Sequence, residues 1–407
     1  MSSANALLNS QYLYQSEARY FAQVPDGGED VAAQELAALG AEGVRAGYRG
    51  LYFGAERRVL YAIVYRAFTI SRVLAPLIRF QCHSPEYLYK RTQSIPWSDF
   101  LTPKHTFAVF ATVSNSAIRH SQYAALTIKD AIVDQFREKT GARPNVETQD
   151  PDLWINLYLH ANKATLSIDA SGGSMHRRGY RVESVEAPMQ ETVAATIIAM
   201  SEWDGSTPLA DPMCGSGTIL CEALMRYSRV PSGYLRKHFG FERLPDFDRD
   251  AWRAVKSEAD TAIRMLPRGL IRGSDTSGEA VRAARANLAR LPGGRHVVVE
   301  QRRFEQIERM DDTTIVTNPP YGLRIGKRDA MPEFVRGLGD FLKHRCAGSS
   351  AFVYFGNREL LKSLGLRPTW KKPLANGGLD GRLVRLDLFA GSRDAFEVAR
   401  RRDDVRE

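Results

Sequence analysis

Cysteine is scarce in this chain, and what there is carries no chemistry by its spacing. Cys82, Cys214, Cys221 and Cys346 are the only four in 407 residues, they lie far apart, and they form no CxxC pair and have no histidine at zinc-ligand spacing. That pattern argues against a disulfide scaffold and a zinc site, and it fits a reduced, cytoplasmic compartment. Long apolar runs are also missing, since no window approaches the roughly eighteen residues a membrane helix needs. The opening MSSANALLNSQYLYQSEARY lacks a basic stretch followed by an apolar core, so neither export nor membrane insertion is expected. Charge of one sign is not dominant: 56 Lys and Arg against 47 Asp and Glu leave a net +9, compatible with a polyanionic partner without demanding one. Internal repeats and low-complexity tracts are absent. What the chain does have is 43% hydrophobic residues, enough to fill the cores of two or three domains.

Residues 18–82 mix strand patterns at Tyr20–Val24 and Gly50–Gly54 with helical ones at Glu29–Leu39 and Val59–Phe68, a small α+β unit. Residues 83–170 read as a second such unit, with strands Thr106–Val113, Leu153–Leu159 and Ala164–Ile168 and a helix Gln122–Lys139. Ser171-Gly172-Gly173-Ser174 has the composition of a flexible connector, which opens a linker taken as 171–186. From 187 to 391, short apolar runs (Thr207–Ala210, Leu270–Gly273, His296–Glu300, Thr314–Thr317, Ala351–Phe355) alternate with helical patterns, as in an open, mostly parallel α/β sheet. Asn376-Gly377 before the alternating run Leu383–Phe389 predicts an antiparallel hairpin at the end.

The strand Leu209-Ala210 runs into Asp211-Pro212-Met213-Cys214-Gly215-Ser216-Gly217-Thr218 and then the apolar helix Ile219–Met225. Glycines at the first strand-to-helix turn let backbone approach a nucleotide-like ligand beside the N–H groups that open the helix, although an ordinary βα turn uses glycine too. The second strand ends at Asp275, where an acidic side chain meets ribose hydroxyls, or else caps the helix Gly278–Ala289. Asp275 follows Asp211 by 64 residues, far beyond the ~20 of a compact βαβ unit, so Arg226–Arg268 reads as an insertion containing a helix Asp250–Met265.

The fourth strand, Thr314–Thr317, ends at Asn318-Pro319-Pro320-Tyr321-Gly322. Two prolines fix that turn, and Pro319 offers a carbonyl with no N–H. The Asn318 amide oxygen and the Pro319 carbonyl are two acceptors suited to both N–H groups of a planar amine, and Tyr321 is suited to stack on the base that carries it. A tight structural turn with an asparagine cap is the plainer alternative.

Together these residues resemble the class I S-adenosylmethionine methyltransferases that act on exocyclic amines. Ser171–Arg181 (SGGSMHRRGYR), Ala187-Pro188-Met189-Gln190-Glu191, DPMCGSGT, Pro231-Ser232-Gly233 with Phe241-Glu242, NPPYG, and Asn376-Gly377 to Arg382-Leu383 narrow the resemblance. They are similar to the THUMP-domain RNA guanine-N2 methyltransferases, nearest to the RlmL family acting on 23S ribosomal RNA. The resemblance implies a ferredoxin-like segment (18–82), a THUMP RNA-binding domain (83–170) and a Rossmann-like methyltransferase domain (187–391). It implies S-adenosylmethionine held by residues 211–218, Asp275 and Gln190, no metal, and RNA guanine as acceptor. Where the family usually carries an acidic residue after the third strand, this chain has Gln301-Arg302-Arg303-Phe304-Glu305, so Phe304 packing on the adenine with Glu305 nearby is the expected substitute. No second methyltransferase unit is evident, so one reaction is expected.

The reaction read this way unstacks a guanine, fixes its amino nitrogen through Asn318 and Pro319, and lets the proton leave to water without a dedicated base. Phosphate contacts are expected from the exposed side of the helix 122–139 (Lys129, Arg137, Lys139), from Arg119 and Arg143 at its ends, and from His176, Arg177 and Arg178 beside the linker. Transfer RNA is the alternative substrate. A DNA adenine or protein glutamine methyltransferase shares the Asn-Pro-Pro-Tyr turn, and a non-catalytic RNA-binding module is the rival of another class. A nicotinamide dehydrogenase would use the glycine turn but leave the double proline unexplained.

Overall fold

The computed structural model describes residues 12–184, 188–320 and 331–389. The chain divides into two compact units: one of residues 1–24, 32–175 and 235–258, the other of residues 25–31, 176–234 and 259–407.

The first unit is built on one sheet. Strands β1 (Arg19–Gln23), β2 (Glu42–Gly47), β3 (Gly50–Gly54), β4 (Arg72–Gln81), β5 (Thr106–Ser114), β6 (Asn145–Val146), β7 (Leu153–His160) and β8 (Lys163–Asp169) run in the order β2-β3-β1-β4-β8-β7-β5-β6. The two α+β segments expected at 18–82 and 83–170 therefore share a single eight-stranded sheet, joined where β4 pairs antiparallel with β1 on one side and β8 on the other. Pattern reading passes over β4 because Pro76 sits in its middle, and proline is normally kept out of interior strands. A shift of register between Pro76 and Ile78 accommodates it. Alternate residues of the strands are buried and apolar, among them Ala22, Leu51, Phe53, Val73, Leu77, Ile155, Leu157 and Leu166. Helices α1 (Leu13–Glu17), α2 (Glu29–Ala38, begun in the other unit), α3 (Arg57–Arg66), α4 (Pro85–Gln93) and α5 (Ser121–Thr140) complete the unit, and Ile128, Ile132 and Phe136 form the buried stripe of α5.

Ser171–Ser174 is not a loose connector. Ser171 is fully buried, its hydroxyl and N–H both donate to the Asp169 carboxylate, and Arg236 donates one terminal nitrogen to the carbonyls of Ser171 and Gly172 at 2.9 and 3.0 Å. The small residues serve close approach: a Cβ on Gly240 would lie 1.9 Å from the Asp169 carbonyl oxygen, and Phe241 N donates to Ala170 O at 2.7 Å. Arg236 and Gly240 lie in the segment read as an insertion, and its residues 235–258 belong to this first unit. Phe239, Phe241, Phe247 and Trp252 pack with Tyr61 and Tyr65 of α3, with the Tyr61 and Phe241 rings 4.5 Å apart. Tyr14 donates to Asp246 at 2.6 Å, and Arg243 pairs with Asp152 at 3.0 Å.

The second unit carries the α/β sheet. Its strands are β9 (Leu209–Asp211), β10 (Ile271–Asp275), β11 (Val298–Gln301), β12 (Thr314–Thr317), β13 (Ser350–Phe355), β14 (Trp370–Asn376) and β15 (Leu379–Asp387), in the order β11-β10-β9-β12-β13-β15-β14. The pairs among β9 to β13 are parallel, and β15 is antiparallel to both β13 and β14. The expected terminal hairpin is present, closed by Gly377 at φ +61° with Asn376 opposite Leu379. Helices α6 (Glu191–Met200), α7 (Thr218–Ser228), α9 (Gly278–Leu288) and α10 (Met331–Arg345) belong to this unit, and α8 (Arg249–Thr261) begins in the first. Among the described residues no helix is long and apolar enough to cross a membrane.

Substituting Gly240→Ala drives a methyl into the Asp169 carbonyl, so the backbone on one side must move. The expected result is a loss of roughly 2 kcal/mol or more, read as a lower melting temperature in calorimetry. An unchanged melting temperature would contradict the tight docking of 235–258 on this sheet.

Candidate active site

The strand order of the second unit reverses between β9 and β12, which lie side by side with Leu209 opposite Thr314 and Ala210 opposite Ile315. Loops leaving adjacent strands at such a reversal diverge and open a crevice, the place where open α/β sheets take ligands. The two motifs singled out in the sequence leave from these strand ends.

On the β9 side, Asp211 is 2% exposed and its carboxylate accepts from Met213 N at 3.1 Å and from Thr317 Oγ1 at 2.7 Å. Burial pushes its carboxyl up to about 7, with the two hydrogen bonds pulling the other way and Asp275 adding a smaller rise. Pro212, Cys214, Ser216 and Thr218 are buried, while Met213 and Gly215 are half-buried. Gly215 and Gly217 adopt φ of +52° and +79°, and a Cβ on Gly217 would meet the Ala284 side chain of α9 at 3.0 Å. Glycine at 217 is therefore required both by the left-handed turn and by the helix packed against it. Cys214 N donates to Ser274 O at 2.9 Å, and Gly215 N donates to Asp275 Oδ2 at 2.9 Å. Asp275 is half-buried, and its other oxygen accepts from Ser277 N at 2.9 Å. Ser277, not Asp275, caps α9, accepting from Ala280 N.

Two further residues hold the glycine turn and have no assigned role in the sequence reading. Arg181 donates to Ser216 Oγ at 3.1 Å, Thr218 Oγ1 at 3.0 Å, Met189 O at 3.2 Å and Glu191 at 2.9 Å. Asn287, fully buried in α9, donates to Ser216 O and Glu183 O and accepts from Val182 N and Glu183 N. The signal available for Asn287 is an amide side chain on the apolar face of a helix, a position that burial makes costly unless all its bonds are made. Gln190 stands at the N-terminus of α6, where its N–H donates to Asn376 Oδ1 at 3.2 Å and the hairpin tip at Gly377 lies against its side chain.

On the β12 side, Asn318 is half-buried, Pro319 is buried and Pro320 exposed. Tyr321 and Gly322 lie outside the described residues. Phe304 does not fit an adenine-stacking role: it is 3% exposed, with its ring edge-on to Phe334 and Phe341 at 5.6 Å inside the core beneath β12 and α10. The aromatic residue after β11 is spent on packing because α10 brings two more rings to it. Glu305 pairs with Arg303 at 3.2 Å.

Of the cationic residues expected to meet phosphate, Arg119, Arg137, Lys139, Arg143 and Arg177 are exposed and His176 is half-buried. Lys129 pairs with Asp130, and Arg137 with Asp134 at 3.5 Å. Arg178, expected to meet phosphate, is instead buried: it is 1% exposed and donates through Nε and a terminal nitrogen to both oxygens of Glu222 on α7, which also accepts from Tyr180. Its neighbours in the basic run give no hint of this, because the partner lies 44 positions away.

The residues fit S-adenosylmethionine. The half-buried Asp275 carboxylate at the end of β10 suits a ribose diol, and the positive φ of Gly215 and Gly217 keeps the neighbouring turn free of side chains at those two positions. Thr192, in the first turn of α6, has a buried hydroxyl with no hydrogen-bond partner among the described residues, a vacant polar contact next to Gln190. Burial pushes the Cys214 and Cys221 thiols well above their ordinary range, so both stay protonated. Among the described residues no group of histidine, cysteine and acidic side chains is placed to hold a metal.

Because burial raises the folded-state pKa of Asp211, the native protein keeps this proton where the unfolded chain has lost it. Stability from this group is full below about pH 4, declines as pH climbs to about 7, then levels, a span worth on the order of a few kcal/mol. Asp211→Asn is expected to flatten the melting temperature against pH between about 4 and 7. A profile parallel to wild type would rule out this titration. Arg178→Met leaves Glu222 buried without its counter-charge and is expected to cost about 3–5 kcal/mol in denaturant unfolding, whatever its effect on RNA.

Comparison with known proteins agrees with this geometry. The family model of the RMKL-like methyltransferase domain matches residues 178–385, that of the THUMP domain residues 82–169, and that of the RlmL ferredoxin-like domain residues 19–74. A Synechocystis sp. protein named as a candidate RNA methyltransferase is 38% identical over 371 residues, covering 91% of this chain and 97% of that one. The ribosomal RNA large subunit methyltransferase K/L of Syntrophotalea carbinolica is 37% identical over 384 residues, which is 91% of this chain and 53% of that protein, so the chain spans about half that relative's length. The crystal structure of SMU.472, described as a candidate methyltransferase complexed with SAH, superposes with a TM-score of 0.79 at 26% identity, over 92% of this chain and 98% of that one. The chain belongs to the RMKL-like methyltransferases with THUMP and RlmL-type ferredoxin-like domains, and S-adenosylmethionine is its methyl donor.

Proposed function

We propose that the chain transfers a methyl group to the exocyclic N2 of a guanosine in RNA, and that the RNA is 23S ribosomal RNA. The observation that carries this reading is the 2.7 Å bond from Thr317 to Asp211, which ties the start of the Asn-Pro-Pro turn to the start of the glycine turn. That tie supports a reading in which two acceptors for an amine, on Asn318 and Pro319, stand next to the turn that serves the cofactor. The names of the large-subunit ribosomal RNA relatives support the choice of substrate.

When bound, S-adenosylmethionine supplies an electrophilic methyl group on a sulfonium. The protein's task is position. Guanine N2 is a weak nucleophile because its lone pair is delocalised into the ring. The Asn318 amide oxygen and the Pro319 carbonyl accept its two N–H bonds and fix the direction of the nitrogen, and Tyr321 stacks on the base. Such orientation supplies up to ~7–11 kcal/mol of a barrier. Reaching N2 requires the base to leave its stack, at a cost of a few kcal/mol that a loop or bulge lowers. The Asp211 carboxylate already accepts from Met213 and Thr317, so no base is assigned to it, and the proton leaves to water.

In the proposed division of labour, residues 83–170 bind RNA and 187–391 carry the reaction, except that the segment 235–258 is folded into the same unit as 83–170. Arg119, Lys139, Arg143 and Arg177 remain candidates for phosphate. Transfer RNA is the second substrate to test.

Asn318→Ala is expected to leave cofactor binding by calorimetry near wild type while lowering methyl transfer by about a hundredfold or more, as loss of one preorganised polar contact does. Nucleoside mass spectrometry of ribosomal and transfer RNA fractions, taken from cells without the gene and then treated with the protein, reads the product. Absence of N2-methylguanosine from both would sink the proposal, as would unimpaired turnover by Asn318→Ala.

A further inference from the structure

The two faces of the eight-stranded sheet are unlike. One is the apolar face already described. The register aligns the other in two rows across the strands. In the first row Arg45 lies opposite Tyr52, Tyr52 opposite Phe21, and Phe21 opposite Leu74. In the second, Arg79 lies opposite Thr165, Thr165 opposite Tyr158, and Tyr158 opposite Thr112. Small residues, Pro76 and Ser167, form the floor between the rows. Together the rows line a trough of about 610 Å3, within the ~300–1,000 Å3 range of ligand sites.

Three properties of the trough point to one kind of occupant. Its cations are Arg19, Arg45, Arg49 and Arg79 against the single carboxylate of Glu17, and among the described residues none of the four arginines forms an ion pair. Its rings are partly open to solvent: Tyr48 is 71% and Tyr52 37% exposed, and Phe21, edge-on to Tyr52 at 4.9 Å, and Tyr158 are half-buried. Burial and the nearby Tyr52 and Tyr48 hydroxyls hold the Tyr158 phenol above its ordinary range, as expected of rings that converge on one trough. Finally, the ring platform is built on glycine. A Cβ on Gly50 would lie 2.5 Å from the Phe21 ring, and one on Gly47 would lie 2.8 Å from the Tyr52 ring. Unpaired cations call for a polyanion, and exposed rings on a small-residue floor call for flat partners. A nucleic acid strand offers both, but only when its base faces are free, since a duplex hides them.

We propose that this sheet face binds a single-stranded segment of RNA, with bases stacked on Phe21, Tyr52 and Tyr158 and phosphates held by Arg45, Arg49 and Arg79. The choice of RNA rests on the proposed methyl transfer, whereas the strand-binding chemistry of the trough stands without it. Arg45 lies over the Tyr52 ring at 5.5 Å, close enough for one strand to meet both the ring and the cation once the arginine swings to a phosphate.

The test is binding of a labelled single-stranded RNA of about twelve nucleotides to the full chain, measured by fluorescence anisotropy at fixed salt. Two double variants, Arg45→Glu with Arg79→Glu and Tyr52→Ser with Tyr158→Ser, are each expected to weaken binding about tenfold or more, while Lys104→Glu, an exposed charge change away from the trough, stays within about twofold. Duplex RNA of the same sequence should compete poorly. Cofactor binding equal to wild type shows that a variant is folded, and if the tyrosine pair fails this check the arginine pair decides. Trough variants that bind like wild type, a Lys104→Glu loss of the same size, or equal competition by duplex would each overturn the proposal. Wild-type protein that binds the strand through these residues yet methylates no RNA would instead remove the catalytic reading and leave the trough standing.

Discussion

The Asp211 carboxylate is the constraint on which the site depends. It is buried where the sheet order reverses, and it accepts one hydrogen bond from each side: from Met213 N in the glycine turn and from Thr317 Oγ1 at the end of β12. A reversal in strand order separates the two loops that follow, and separation alone would leave their spacing loose. Sharing one carboxylate between them makes that spacing a property of the core. The cost is visible in the same group, whose proton affinity burial raises to about 7. A site whose task is to orient a weak nucleophile toward a methyl group gains from this rigidity, because positioning is what lowers the barrier in such a transfer.

The glycine turn needs support of its own, since glycine loses more conformational freedom on folding than any other residue. Arg181 and Asn287 supply it from opposite directions. Arg181 reaches the two hydroxyls that flank Gly217 and is itself fixed by Glu191, while Asn287 binds the Ser216 carbonyl and holds residues 182 and 183 with the rest of its amide. Every polar group of Asn287 is used, which is the condition under which a fully buried amide rigidifies a loop instead of weakening it. These contacts tie the stretch before α6 to the glycine turn, so that the conformation of the turn depends on residues more than thirty positions away from it in sequence.

Local chemistry was legible in the sequence wherever the cause of a structure lies within a few residues of it. The strand-glycine-helix turn at 209–218, the hairpin at Asn376-Gly377 and the buried stripe of Ile128, Ile132 and Phe136 all follow from short-range pattern, and each is found. The α4 start has a local cause of the same kind: Ser84 caps it and Pro85 takes its first turn, a standard pairing of residue types. What pattern does not reveal is set by distant partners. Ser171-Gly172-Gly173-Ser174 has the composition of a linker, and only the approach of Arg236 and Gly240 turns it into a packed corner. His176-Arg177-Arg178 reads as a uniform basic run, yet Glu222 draws one of the three arginine and histidine side chains into the core. Phe304 is aromatic where the resemblance suggests a ligand contact, and two other phenylalanines claim it.

Charge is where this difference matters most for function. A net +9 spread over the chain says little, because an arginine serves structure or recognition according to what stands opposite it. Arg72 pairs with Asp169, Arg178 with Glu222, Arg181 with Glu191 and Arg243 with Asp152; each is a fixed part of its unit and has little charge left to offer a ligand. The helix α5 carries cations too, but Lys129 and Arg137 face acidic neighbours on the same helix. Among the arginines without an ion pair in the described residues, Arg19, Arg45, Arg49 and Arg79 gather on one sheet face. Four like charges gathered around the single carboxylate of Glu17 repel one another, and a fold that needs nothing from them would gain by dispersing them. Their position beside rings held up by glycines is explained when an anionic, flat-faced strand supplies the missing counter-charge.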